Sequence, residues 1–226
     1  MTNVYIISAP SGSGKSTLVE KVRKIVPRLD FSISYTTRPP RGNERDGVEY
    51  FFVSREQFDQ MVRRNEFLEY AEVFGNCYGT AKRFLEQAQQ RGHDLLLDID
   101  VQGAAQIKQK IPEAVSIFIL PPDRKTLEAR LRHRSLDRED VIQRRLVTAS
   151  REIEKYGEYD YILINDRLED SVEALKAILL SERLKNTGST DAETLAIAER
   201  CRLRNVGERL QPILASFTTA VTPGGR

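Results

Sequence analysis

The chain has 226 residues, 40% of them hydrophobic and 30% charged, enough for one sizeable core with inserted subdomains and ordinary for a globular protein. Its 35 basic and 33 acidic side chains nearly cancel, and local arginine clusters in such a near-neutral chain suggest a discrete anionic ligand rather than a nucleic-acid surface; no apolar run approaches the roughly 20 residues that a membrane helix needs. Cys77 and Cys201 form no CxxC pair and no basic leader precedes the first apolar run, so the expectation is a reduced, cytoplasmic protein without disulfides or zinc.

The chain opens on a buried strand over residues 4–8, whose Val4-Tyr5-Ile6-Ile7 run leads into Ser8-Ala9-Pro10-Ser11-Gly12-Ser13-Gly14-Lys15-Ser16-Thr17. A helical pattern follows over 15–26 and stops at Pro27. Strand, glycine-rich loop and helix in that order make a phosphate-binding loop, with Ala9 where a strict motif has glycine. Gly12 and Gly14 let backbone N–H groups turn inward around phosphate oxygens, and the helix N-terminus adds its dipole. Lys15 is placed to neutralise the β- and γ-phosphates, and the Ser16 hydroxyl to ligate Mg²⁺. A Gly/Ser-rich turn with a chance lysine does not account for the flanking strand and helix. The loop is therefore expected to bind a nucleoside triphosphate.

Residues 31–36 read as a second strand that leads into the rigid Arg38-Pro39-Pro40-Arg41 corner. Residues 50–53 read as a strand, 55–65 as an amphipathic helix with Phe58, Met61 and Val62 on one face, and 67–73 as a strand broken by Gly75 and Gly79. A helix over 81–91 stops at Gly92. Leu95-Leu96-Leu97-Asp98-Ile99-Asp100 is an apolar strand ending in two acids. A helix over 102–110, an apolar strand over 115–120, a charged helical pair over 125–156, a strand over 161–165 and a helix over 171–184 follow.

Continuous apolar strands alternating with helices indicate an α/β fold, a parallel sheet covered on both faces. The expected organisation is a three-layer core of residues 1–33, 81–123 and 157–185. Into it are set a mostly antiparallel subdomain of about 34–80 and a helical lid of about 124–156. Residues 186–226 form an extension: a linker over 186–190, a helix capped by Asp191 and running to about 203, and a disordered tail over 218–226. It carries no chemical motif.

Three groups point at phosphate: the loop; Ser34 with Arg38 and Arg41, whose guanidinium forks the intervening prolines hold in one geometry; and Arg130, Arg134 and Arg145 on the lid. A donor site, an acceptor-phosphate site and mobile arginines suit phosphoryl transfer between two nucleotides, which needs charge stabilisation and in-line positioning. No catalytic base stands out, and a phosphate acceptor needs none, because its second pKa near ~6 leaves it largely anionic at neutral pH. Asp98 and Asp100 sit where an acidic pair would complete a Mg²⁺ site through water, or they are a solvated strand end. Glu69 could accept guanine N1–H and N2–H together, although spacing alone leaves it an exposed glutamate. Cys77 reads as a packing residue, and His93 and His133 as surface residues.

Five segments in order resemble guanylate kinase: 11–17; Ser34-Tyr35-Thr36-Thr37-Arg38-Pro39-Pro40-Arg41; Gly47-Val48-Glu49-Tyr50-Phe51-Phe52; 69–80; and Leu97-Asp98-Ile99-Asp100-Val101-Gln102-Gly103. The resemblance runs from about residue 4 to 184. It implies that Ala9, Pro10, Ser11, Gly12, Ser13, Gly14, Lys15, Ser16 and Thr17 hold ATP, and that Ser34, Arg38, Arg41, Tyr50 and Tyr78 hold the GMP phosphate. Glu69, Thr80 and Asp98 would read guanine, Asp100 would lie near Mg²⁺ with Ser16, and Lys15, Arg38, Arg130, Arg134 and Arg145 would carry catalysis. Thr80 stands where serine is usual, and Ser135 where glycine or asparagine is usual. The implied partners are GMP and ATP, with neither nucleic acid nor membrane, and the oligomeric state is left open. A guanylate kinase-like binding module without catalysis is the first competing reading, but such domains lack an intact Gly-x-Gly-Lys-Ser loop. A kinase for another monophosphate or a sugar phosphate is the second, and the 69–80 segment argues against it.

Overall fold

The computed structural model describes residues 2–73, 75–134, 138–185 and 191–218, which fall into two compact units. The first comprises Met1–Ile7 and Pro27–Val115, the second Ser8–Val26 and Ser116–Arg226.

In the first unit, β1 (Val4–Ser8) and β2 (Leu29–Ser32) both pair in parallel with β7 (Asp94–Asp98). Leu95, Leu96 and Leu97 are fully buried, the continuous apolar pattern of a strand covered on both faces. A second, mixed sheet runs β4 (Phe51–Phe52), β3 (Tyr35–Thr36), β6 (Asn76–Ala81), β5 (Phe67–Val73). The β3–β6 and β5–β6 pairs are antiparallel and the short β3–β4 pair is parallel, a mostly antiparallel sheet as expected. What reads in sequence as one strand over 31–36 is two strands in two sheets. Gly79 does not break the chain but lies inside β6, where a Cβ would come within 2.9 Å of the Phe67 ring. Close packing, not a turn, requires that glycine.

Helix α2 (Arg55–Arg63) starts at a capping box in which Ser54 and Gln57 bond each other's backbone N–H groups. It lays Phe58 on Phe67, with ring centroids 4.7 Å apart, beside Cys77 and Ala81, with Met61 and Val62 at the rim. Cys77 is thus a packing residue. Helix α3 (Lys82–Arg91) ends at Gly92 in the left-handed conformation, and α4 (Val101–Lys110) is capped by Asp100, which accepts from the Gly103 N–H at 2.8 Å. His93 is half-buried on Asp30 at 2.9 Å rather than simply at the surface, whereas His133 is exposed.

In the second unit, α1 (Lys15–Ile25) follows the loop, and β8 (Val115–Leu120) pairs in parallel with β9 (Tyr161–Ile164). Helices α5 (Arg124–Arg134) and α6 (Glu139–Ile153) form the charged pair, and α7 (Leu168–Lys185) packs on α1. The extension holds α8 (Ala192–Arg200), with Asp191 accepting from the Glu193 and Thr194 N–H groups, and then α9 (Gly207–Thr218), which sequence reading did not find. The expected linker 186–190, Ser135 and the tail 219–226 lie outside the described residues.

Candidate active site

In the second unit the loop between β1 and α1 turns at Gly12 (φ 93°) and Gly14 (φ 88°), a conformation that side chains resist, and the Ser13 N–H closes it on Pro10 O at 3.1 Å. Gly14 is the helix cap, so Lys15 and the exposed Ser16 and Thr17 begin the first turn of α1, the end of a helix that favours an anion. Ala9 is accommodated without a backbone anomaly.

Space as well as φ demands the glycines. A Cβ at Gly14 would meet Asn165 Nδ2 at 2.3 Å, and one at Gly12 would meet Leu131 at 2.9 Å and Leu127 at 3.0 Å. Asn165, buried just after β9, donates Nδ2–H to Ser13 O at 2.6 Å and accepts at its own carbonyl from Arg130 Nη2 at 3.0 Å. Arg130 also reaches Ser13 O at 3.5 Å, and Arg145 Nη2 donates to Ser11 Oγ at 2.7 Å. Two of the three expected lid arginines therefore already rest on the phosphate loop. Arg134 is the last residue of α5.

Other arginines of the cluster serve a different purpose. Arg132 bonds Glu128 within α5 and Glu139 at the start of α6, tying the two helices together, while Arg144 bonds Asp140 at 2.6 Å. These pairs are exposed to solvent, which screens them, so they stabilise the helix pair only weakly. Sequence alone could not sort them, because i,i+4 spacing to an acid is visible but the direction of Arg130 and Arg145 is tertiary.

In the first unit, Arg38 is buried and held from every side. Its Nη2 donates to both Glu44 carboxylate oxygens at 3.0 and 2.9 Å, Nη1 donates to Pro39 O at 2.8 Å, and the guanidinium lies 5.3 Å over the Tyr50 ring. Tyr50 meets Tyr78 edge-on with centroids 6.0 Å apart, so Arg38, Tyr50 and Tyr78 form one cluster. Glu44 also accepts from the Arg41 N–H at 2.8 Å, leaving the Arg41 side chain exposed. Ser34 joins the group through its carbonyl, which accepts from the Phe51 N–H at 2.9 Å.

Glu69 is not the exposed residue its spacing suggests: it is 4% exposed, opposite Thr80 in the β5–β6 register. Burial pushes its carboxyl up to about 7, the nearby Asp100 charge adds to this, and the Thr80 hydroxyl and Lys110 oppose it. Thr80 Oγ1 is itself buried with no hydrogen bond of ordinary geometry. A buried carboxylate beside an unsatisfied hydroxyl is costly unless a ligand completes it. Gly103 makes the approach possible, since a Cβ there would stand 2.5 Å from Glu69 Oε2. Helix α4 is pinned to β5 by Gln106, whose amide both donates to and accepts from the Tyr70 backbone, and by the Lys110 ammonium on Leu68 O.

Asp98 ends β7 in register with Ile7, and one Asp100 oxygen caps α4; both acids are half-buried rather than a bare solvated strand end. Glu44, Gly103 and Asn165 are the residues whose part sequence reasoning missed. Gly103 stood inside a recognisable motif, but Asn165 at a strand end and Glu44 after the Arg41 corner carried only weak signals.

The chain matches the family model described as Guanylate kinase over residues 1–182. A guanylate kinase of Koribacter versatilis is 57% identical over 227 residues, covering 97% of this chain and 97% of that protein. The Escherichia coli K12 guanylate kinase is 50% identical over 184 residues, 80% of this chain and 89% of that protein. Among solved structures, guanylate kinase from Anaplasma phagocytophilum superposes with a TM-score of 0.69 at 34% identity, over 81% of this chain and 87% of that one.

Proposed function

The chain belongs to the guanylate kinase family, and from that premise we infer that it transfers the γ-phosphoryl group of ATP to GMP, giving ADP and GDP. This places it in purine nucleotide metabolism, at the recycling of GMP. The observation that carries the reading is the base pocket: the buried Glu69 carboxylate, the buried Thr80 hydroxyl opposite it with no hydrogen bond of ordinary geometry, and the glycine that makes room beside them. Guanine offers N1–H and N2–H to one carboxylate, whereas adenine presents an acceptor at N1 and would leave Glu69 unpaired. A site built on hydrogen bonds rejects the wrong base by several orders of magnitude for that reason.

Each remaining residue takes a role that its surroundings support. Arg38, Arg41, Tyr50, Tyr78 and Ser34 bind the GMP phosphate, with Arg38 pre-set by Glu44 so that little rotamer freedom is lost on binding. Asp98 assists in base recognition. The loop from Ala9 to Thr17 holds the triphosphate of ATP through its backbone N–H groups, and Lys15 neutralises its charge. Arg130, Arg145 and Arg134 stabilise the charge spread over the transferring phosphoryl group. The GMP phosphate oxygen attacks directly, so no side chain need remove a proton.

Ser16 would hold Mg²⁺. The exposed Ser16 hydroxyl fits, and no group of three or more His, Cys, Asp or Glu gathers as a dedicated cage among the described residues. That donor set suits an ion carried mainly by substrate phosphates and water. When bound, the ion supplies charge neutralisation across the β- and γ-phosphates. Among the described residues no helix is long and apolar enough to cross a membrane.

Mixing the protein with ATP and Mg²⁺, adding GMP, AMP, UMP, CMP or dTMP in turn and following ADP release tests this reading. ADP release with GMP alone is expected. Release with another monophosphate would keep the phosphoryl transfer and discard the guanine assignment, and none with any acceptor would leave a binding module.

A further inference from the structure

The family match ends at residue 182, and the Escherichia coli relative covers 80% of the chain, whereas the Koribacter relative covers 97%. The extension beyond α7 is thus an addition to the shared body, and its contacts show what it does.

Helix α8 lies along α7. After it the chain runs beside the edge of β9: Ile162 N–H donates to Cys201 O at 2.8 Å and Leu203 N–H to Asp160 O at 3.1 Å, with Tyr161 opposite Arg202. Arg202 locks this strand-like segment in place. Its guanidinium lies 4.5 Å over the Tyr161 ring and bonds Glu182 of α7 at 2.8 Å and Glu199 at 2.7 Å, while the Tyr161 hydroxyl donates to Glu182. The edge strand is covered and the chain is aimed at the lid helices.

Helix α9 then buries Leu210, Ile213 and Phe217 and packs against both α5 and α6. Ser216 Oγ accepts from the Arg124 backbone N–H at 3.0 Å and donates to Ile213 O at 2.6 Å. Arg124 is the first residue of α5, so one of that helix's orphan donors is capped from the extension rather than locally. Asp123, the residue before the helix, caps the same first turn through the Thr126 N–H at 2.6 Å, so Ser216 supplies a second acceptor there. Helix α5 carries Arg130 to Ser13 O and Asn165 O, and α6 carries Arg145 to Ser11 Oγ.

We propose that α9 is a positioning element for phosphoryl transfer: by capping α5 through Ser216 and packing on α5 and α6, it sets the helix pair that presents Arg130 and Arg145 to the phosphate loop. Ser216 touches no reacting atom and acts through the helices. The base pocket lies in the other unit.

Truncation after Lys185 would bare the β9 edge and could simply unfold the chain, so the test uses two milder full-length variants, Ser216→Ala and Ile213→Ala/Phe217→Ala. In Ser216→Ala kcat should fall about fivefold, as for a lost helix cap, and further in the double variant. The KM for GMP and the GMP dissociation constant measured by calorimetry should stay within about twofold, because only a transition-state interaction is weakened. Ser216→Thr, which keeps the hydroxyl, should restore kcat. Unchanged kcat in both alanine variants would overturn the proposal. So would a kcat loss matched by an equal loss of GMP binding sites, which marks general unfolding, or failure of threonine to rescue.

Discussion

Replacing Glu69 by glutamine separates what the buried carboxylate does for binding from what it costs the fold. The Glu69 carboxyl is 4% exposed and its pKa is raised from 4.5 to about 7. The folded state therefore holds this proton over a pH range in which the unfolded chain has lost it. The stability this confers is fully present below pH 4.5 and is lost as pH rises through about 7. At about 1.4 kcal/mol per pH unit, the loss amounts to roughly 3 kcal/mol at pH 8. Glutamine fills the same space and does not titrate. Melting curves of both proteins without nucleotide should accordingly diverge with pH, the variant gaining roughly 5–10 °C on the parent between pH 5 and pH 8.

The same substitution should destroy selectivity, because an amide can accept only one of the two guanine donors and turns its own N–H₂ toward the other. Losing hydrogen bonds to a charged acceptor at about 1.5–3 kcal/mol each lowers kcat/KM for GMP by on the order of a hundredfold or more. A more stable, less active variant is the signature of a residue kept for function. Parallel pH profiles of melting for the two proteins, with an unchanged GMP/AMP preference, would refute the reasoning.

Other outcomes follow from the same geometry. The KM for GMP should rise toward acid, by up to about tenfold per unit below pH 7, since only ionised Glu69 accepts both guanine donors; steady-state kinetics at pH 6 and pH 8 check this, and Glu69→Gln should lack its share of the slope. Gly103→Ala sets a methyl 2.5 Å from Glu69 Oε2, so it should raise the KM for GMP at least about tenfold and lower stability by about 1–3 kcal/mol, while ATP affinity measured by calorimetry is unaffected. Asn165→Ala removes the side chain that donates to Ser13 O, and single-turnover rates should drop about tenfold or more with the GMP dissociation constant unchanged. Lys15→Ala should nearly abolish turnover in the same assay.

The phosphate loop was legible because its chemistry is local: glycines at fixed offsets, a preceding apolar strand and a following helix are consecutive in the chain. The parallel strands were legible for a related reason, since Leu95-Leu96-Leu97 can be buried only on both faces. Glu69 was not, because its burial comes from α4 packing through Gly103 onto a strand 30-odd positions earlier, a contact no periodicity encodes. The arginines of α5 and α6 were visible as a cluster, but which ones pair with acids and which reach Ser11 and Ser13 depends on helix direction. Helix α9 escaped because Pro212 lies inside it, and the bond by which its Ser216 caps α5 at Arg124 spans 92 positions.

The central claim is phosphoryl transfer from one bound nucleotide to another, and ATP labelled with ³²P at the γ position tests it most directly. Incubated with the protein, Mg²⁺ and GMP and resolved by chromatography, the label should appear in GDP at the rate ADP forms, with none in inorganic phosphate. Label released as inorganic phosphate, or remaining in ATP while GMP is bound, would contradict it.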